Sequence, residues 1–231
     1  MRWSIALALA LAVVIAVAAF THKERGEAVK VTQADSMDLP KPNQKGVMSV
    51  EEALTKRRSV REYKPGPLTL GELSQLLWSA QGLTAGWGGR TAPSAGGTYP
   101  LETYAVVGEV EGLEAGVYRY VPQGHRLTKV LSGDVRSSLA EAALGQSMIA
   151  DAPVTIVIAA DYNRTTGRYG NRGVMYVHME AGHAGENIYL QAEALGLGTV
   201  AVGAFNPDDV GRILHLPQEE EAIYMFPVGR V

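Results

Sequence analysis

Val154-Thr155-Ile156-Val157-Ile158-Ala159-Ala160 is the stretch on which the fold turns: five β-branched residues followed by two alanines, with no charge and no polar alternation. A run of this kind predicts a strand buried on both faces, because one solvated face would impose a polar residue at every second position. Downstream, Met175 to Leu195 predicts the longest helix, ending at Gly196, and its small residues Gly182 and Gly185 would let another backbone come close. Upstream, Tyr104 to Val107, Val117 to Val121 and Leu127 to Leu131 predict short strands. Val200 to Val202 and Ile223 to Val228 predict two more. Helices and strands that do not alternate strictly indicate an α+β fold and not a doubly wound sheet.

The helices carry their own start signals. Ser49-Val50-Glu51-Glu52 and Thr69-Leu70-Gly71-Glu72 both have the spacing of a capping box. The second opens a helix whose Leu73, Leu76, Leu77 and Ala80 share one face, with Gly82 as its stop. Val135 to Leu144 predicts a helix. Asn206-Pro207-Asp208-Asp209 starts another, with a cap, a proline at the first position and acids in the first turn.

Composition narrows the class. The chain has 231 residues, 46% hydrophobic, with 21 Lys+Arg, 24 Asp+Glu and a formal net charge of −3. This excludes collagen-like and disordered chains, and gives no basic face for nucleic acid. There is no cysteine, which removes thiol nucleophiles, Cys-ligated zinc and iron–sulfur clusters.

Trp3 to Phe20 is apolar except for Ser4, and eighteen helical residues span about 27 Å, close to a bilayer's hydrocarbon thickness. With Arg2 before it and Ala16-Val17-Ala18 inside it, residues 1–25 read as a signal peptide or an N-terminal membrane anchor. The expected location is therefore membrane-anchored or exported, with the domain's side of the membrane open. Residues 26–47, with Pro40, Pro42 and Gly46, read as a linker, and 48–231 as the folded domain.

Three apparent motifs fail on context. Gly196-Leu197-Gly198-Thr199-Val200-Ala201 matches a dinucleotide-binding string, but it follows a helix and precedes a strand, the reverse of the arrangement that sets a pyrophosphate on a helix N-terminus. His178 and His183 lie about 140° apart around one helix and cannot share a metal ion. Ser94 lacks the strand–elbow–helix context of a nucleophile. No metal site is expected.

Two features remain. Arg57-Arg58-Ser59-Val60-Arg61 concentrates three guanidiniums and a hydroxyl in five residues, a pattern suited to phosphate. Thr91-Ala92-Pro93-Ser94-Ala95-Gly96-Gly97-Thr98-Tyr99-Pro100 is a small-residue loop on which a flat ligand could approach the backbone.

In order and spacing, these segments resemble the FMN-dependent nitroreductase family, most closely its branch related to the thiazoline/oxazoline (SagB-type) dehydrogenases. The Arg57–Arg61 segment resembles the family's phosphate motif and Arg90–Gly96 the branch's flavin-contacting loop. Glu180–Gly198 is similar to its long helix, and Pro227-Val228-Gly229-Arg230 to its closing strand. The resemblance implies a nitroreductase-like α+β fold, a mainly antiparallel sheet flanked by helices, in a homodimer with two FMN sites built from both subunits. By the same resemblance, Arg57, Arg58, Ser59, Arg61 and Arg230 would hold the phosphate and ribityl chain. Pro93, Ser94, Ala95 and Gly96 would reach the flavin of the other subunit, whereas Val202 and Gly203 would lie against the isoalloxazine ring.

The implied activity is hydride transfer through FMN from a donor, NAD(P)H by family default, to an acceptor that no residue identifies. Azoline-to-azole oxidation on a peptide is the alternative within enzymes. A flavin-binding, electron-carrying module without turnover is the alternative outside them. The azoline-oxidising branch has a Lys-Tyr pair before the long helix; here the matching residues are Arg168 and Tyr169. Arginine does not give up its proton, so Arg168 cannot act as a base, while Tyr169 could orient a substrate.

Overall fold

The computed structural model describes residues 36–231. The segment expected as signal peptide or anchor, 1–25, lies outside the described residues, among which no helix is long and apolar enough to cross a membrane. Within the span expected as linker, Ser36–Asp38 forms a short edge strand, β1, and Leu39 is buried. The packed chain thus begins ahead of Met48.

Seven strands make one sheet in the order β1-β4-β3-β2-β5-β7-β6, every neighbouring pair antiparallel. The remaining strands are β2 (Leu101–Val107), β3 (Gly116–Val121), β4 (Arg126–Ser132), β5 (Val154–Ala160), β6 (Leu197–Thr199) and β7 (Glu221–Arg230). β5 lies between β2 and β7 and is buried along its whole length. Its side chains alternate between two cores: Ile156 and Ile158 pack on one face of the sheet, Val157 and Ala159 on the other. That division explains why the strand carries no polar alternation.

The first core is covered by α2 (Leu70–Gln81) and the long α6 (Arg172–Ala194), through Leu73, Leu76 and Leu77 of the first and Val177, Ala184 and Ile188 of the second. The second core lies under α3 (Arg136–Ala142), α4 (Ser147–Asp151) and α7 (Pro207–Leu214). α1 (Val50–Lys56) precedes them, and α5 (Asn163–Tyr169) leads into α6.

Capping follows the expected chemistry with one difference. Thr69 and Glu72 close a full box at the start of α2. At α1 only half forms: Ser49 accepts from the Glu52 N–H, while the Glu52 carboxylate pairs with Lys56 one turn on, at 2.6 Å. Asn206 caps α7 through the N–H groups of Asp208 and Asp209. α6 ends where expected, with Gly196 at φ +68°, a conformation that costs glycine little.

Three elements differ from the sequence reading. The helix expected over Val135–Leu144 is shorter and is followed by α4, because Leu144 and Gly145 both take positive φ and break the chain there. A separate helix, α5, stands before α6, divided from it by Gly170. The strand expected at Val200–Val202 forms earlier, as β6, leaving Val202 with a single bridge to Met225.

Candidate functional site

The arginine-rich segment leaves α1 along the free edge of β6. Val60 donates its N–H to the Thr199 carbonyl at 2.9 Å, and Lys64 donates to that of Arg230 at 3.0 Å. This course separates its side chains. Arg57, at the C-cap, sets its guanidinium over the Tyr189 ring, 5.2 Å from the centroid. Arg58 folds back onto the helix end, donating to the carbonyls of Thr55 and Arg57, where the helix dipole favours a cation. Ser59 Oγ lies 2.9 Å from the Tyr189 hydroxyl, which also accepts the Ala201 N–H at 2.8 Å. Arg61 is exposed and lines a cleft of about 550 Å³ with Lys64, Glu109, Arg136 and Asp151. Neither Arg57 nor Arg61 forms an ion pair among the described residues.

Arg230 is differently placed. Its two Nη atoms meet the Glu72 carboxylate at 3.2 and 3.1 Å, and its Nε donates to the Pro67 carbonyl at 3.0 Å. To reach an outside anion it would have to leave the residue that also closes the α2 capping box.

The small-residue loop joins α2 to β2 and is pinned from below by buried Ala92. Ser94 Oγ accepts the Tyr99 N–H at 2.9 Å, and Ala95–Gly97 makes a single tight turn with Gly96 at φ +62°. α5 docks on this turn. Thr165 and Thr98 share a hydrogen bond of 2.7 Å, and Arg168 Nη1 donates to the Gly96 carbonyl at 3.0 Å. The Tyr169 hydroxyl fills the place a Cβ at Gly96 would take, and its ring meets Tyr176 edge-on. The loop Pro93–Gly96 and the pair Arg168–Tyr169, far apart in sequence, therefore form one group.

Beneath the loop, α6 presents a buried acid. Glu180 is 2% exposed, and its Oε1 has no partner among the described residues. Burial pushes its carboxyl up to about 7, against the opposing pull of the Ser94 hydroxyl and the Arg90 guanidinium. Arg90 itself donates to Gln81 Oε1 at 2.7 Å and lies over the Tyr99 ring.

Val202 and Gly203 follow β6. The Val202 N–H is taken by the Met225 carbonyl at 2.8 Å, whereas the amide of the exposed Gly203 has no partner among the described residues. Through Tyr189 this stretch is tied to Arg57 and Ser59, so one cation, a hydroxyl and the loop after β6 meet on the C-terminal half of α6, while Arg61 stands apart in the cleft with Glu109 and Asp151. The loop group meets the same helix near Glu180, nine residues earlier, or roughly 14 Å at 1.5 Å per residue. One chain thus offers two half-sites on different stretches of one helix.

The first half-site fits a phosphorylated flavin chemically. Arg57 and Arg61 have no carboxylate to surrender, and Ser59 is exposed with one tyrosine partner. Among the described residues no group of His, Asp and Glu could hold a metal ion, and His178 instead meets the Tyr162 hydroxyl at 2.7 Å.

Tyr189 and Glu180 did not stand out among the candidate residues. For Glu180 a signal existed: it shares the helical stripe of Val177, Ala181, Ala184 and Ile188, where an acid is out of place. For Tyr189 no local signal exists, because its partners come from α1 and the loop after β6.

Residues 54–230 match the nitroreductase family. A nitroreductase-named protein of Methanocaldococcus jannaschii is 50% identical over 196 residues, covering 85% of this chain and 98% of that protein. An FMN reductase (NAD(P)H) of Bacillus subtilis is 27% identical over 78% of this chain and 63% of its own length. Among solved structures, a nitroreductase-named protein of Ralstonia eutropha superposes with a TM-score of 0.75 at 33% identity, over 85% of this chain and 89% of that one.

Proposed function

Since this chain belongs to the nitroreductase family of oxidoreductases, we propose that it is an FMN-dependent enzyme that passes a hydride from NAD(P)H to an acceptor, working as a homodimer. The observation that carries this reading is the Ser59–Tyr189–Ala201 connection, which draws an anion-binding segment and an unengaged loop amide to one end of α6. A flavin phosphate needs the first, and a flat ring needs the second. The Bacillus subtilis relative, an FMN reductase (NAD(P)H), supports both flavin and donor.

Bound FMN would supply the hydride chemistry, and the chain supplies binding and placement. Arg57 and Arg61 would neutralise the phosphate dianion and Ser59 would donate to it, while Arg58 keeps the turn between them in shape. Gly203 would border the ring. The loop Pro93–Gly96, standing on the other stretch of α6, serves the site of a second subunit. Exposed Val174, Met175 and Met179 on α6 and Trp87 beside the loop support an interface there.

Azoline oxidation is disfavoured by the same geometry. It asks for a proton acceptor at position 168, and Arg168 commits its guanidinium to the Gly96 carbonyl.

The test is the visible spectrum of the purified protein, with the released chromophore identified by mass. Bound FMN that is bleached by NADH or NADPH and restored by an acceptor over many turnovers is the expected result. Colourless protein that also fails to take up added FMN would overturn it. Flavin that binds but never turns over would leave only a carrier.

A further inference from the structure

Tyr189 sits at the centre of the phosphate half-site, and the long-helix resemblance that spans it gives it no role. Its ring lies under the Arg57 guanidinium at 5.2 Å and meets Phe226 edge-on at 6.0 Å, so it is fixed from the core side. Its hydroxyl accepts the Ala201 N–H at 2.8 Å and lies 2.9 Å from Ser59 Oγ. A phenol has a single hydrogen. Either hydroxyl could donate in that pair, but with Ala201 donating to the phenol oxygen and no other acceptor beside it among the described residues, Ser59 Oγ is the acceptor on hand for the Tyr189 hydrogen. In that arrangement the exposed Ser59 hydroxyl keeps its own hydrogen for a ligand on the side of Arg57.

We propose that Tyr189 is the positioning residue that makes this site selective for a phosphorylated flavin, by orienting the Ser59 hydroxyl as a donor and holding the Arg57 guanidinium over its ring. The proposal rests on the flavin reading above and deepens it. An exposed serine alone would rotate freely, and an exposed arginine would sample many rotamers. Fixing both before the ligand arrives removes an ordering cost that binding would otherwise bear. Because both groups would face the phosphate and neither the ring, the effect would fall on one end of the ligand.

The experiment compares FMN with riboflavin, which is the same ring and ribityl chain without the phosphate. Dissociation constants of both are measured by flavin fluorescence on flavin-stripped protein, for wild type, Tyr189→Phe, Ser59→Ala and the double variant. Tyr189→Phe keeps the ring and its contacts and removes only the hydroxyl. FMN is expected to bind about 3- to 10-fold more weakly, the loss of one hydrogen bond, while riboflavin is unchanged. Ser59→Ala should weaken FMN similarly, and the double variant should add little to either, because the two hydroxyls act in series. Equal weakening of both flavins, or no change in FMN, would overturn the proposal. Should Tyr189→Phe fail to fold, Ser59→Ala at its exposed position gives the same comparison. Wild-type protein that binds neither flavin would overturn the functional reading itself, and this proposal with it.

Discussion

Arg168 donates from Nη1 to the carbonyl oxygen of Gly96 at 3.0 Å, and the next side chain, Tyr169, lies against the same glycine. The loop and the start of the long helix are therefore one mechanical unit. Gly96 is held at φ +62°, where a side chain is strained, and a Cβ there would strike the Tyr169 hydroxyl. Gly96→Ala is expected to cost about 1–2 kcal/mol and to displace Tyr169. Urea unfolding measures the first, and a change in Tyr169 fluorescence or chemical shift the second. Wild-type values for both would show that the turn adapts freely.

Glu180 gives the fold a pH dependence of unusual sign. Its carboxyl is pushed up to about 7 in the folded chain, above its value in an open one. The folded state thus holds the proton more tightly, and the contribution is fully present below about pH 4.5 and lost as pH rises through about 7. The stake is about 3 kcal/mol, from the conversion between proton affinity and free energy. Glu180→Gln should remove this fall. Urea midpoints at pH 5 and pH 8 check it, and the wild type should drop more between them than the variant.

Glu72 has the opposite sign. Burial alone would raise its carboxyl, but donation from the Thr69 N–H and from Arg230 outweighs burial and holds it low. Its contribution is present above the ordinary glutamate range and lost as pH falls through the lowered value. Arg230→Met should cost about 1 kcal/mol, since the pair is partly exposed, and less in high salt. Acid unfolding of the variant should begin from a lower plateau near neutrality and converge with wild type at low pH.

Arg57→Ala combined with Arg61→Ala should strip FMN from the purified protein and leave the fold intact, since neither side chain is fully buried or ion-paired among the described residues. Flavin content and circular dichroism are read on the same sample. Wild-type flavin in the double variant would remove the phosphate assignment.

Much of this architecture was legible because it rests on local rules. β5 declared its double burial through five β-branched residues, and α2 its box and its leucine stripe. The end of α6 at Gly196 needed only the glycine. What stayed hidden depends on distant partners. β1 is three residues long, and only its pairing with Arg126–Thr128 makes it a strand. α5 is short and holds Gly167, and its stability comes from docking on the loop through Thr98 and Gly96. In the site, the arginine segment and the loop could be read as chemistry. Their placement on two stretches of α6, and the capture of Arg230 by Glu72, could not, because both depend on partners far apart in the chain.

The course of residues 59–64 has one more consequence. β6 is an outer strand, and Val60 is what occupies the Thr199 carbonyl on its open side. A strand left bare in this way is a template on which a neighbouring chain can add. The segment that gathers the cations is thus also the bandage on the sheet's weakest margin, and a ligand seated on Arg57 and Ser59 would hold it down. Loss of that ligand would show first as self-association of otherwise folded protein, before any loss of secondary structure.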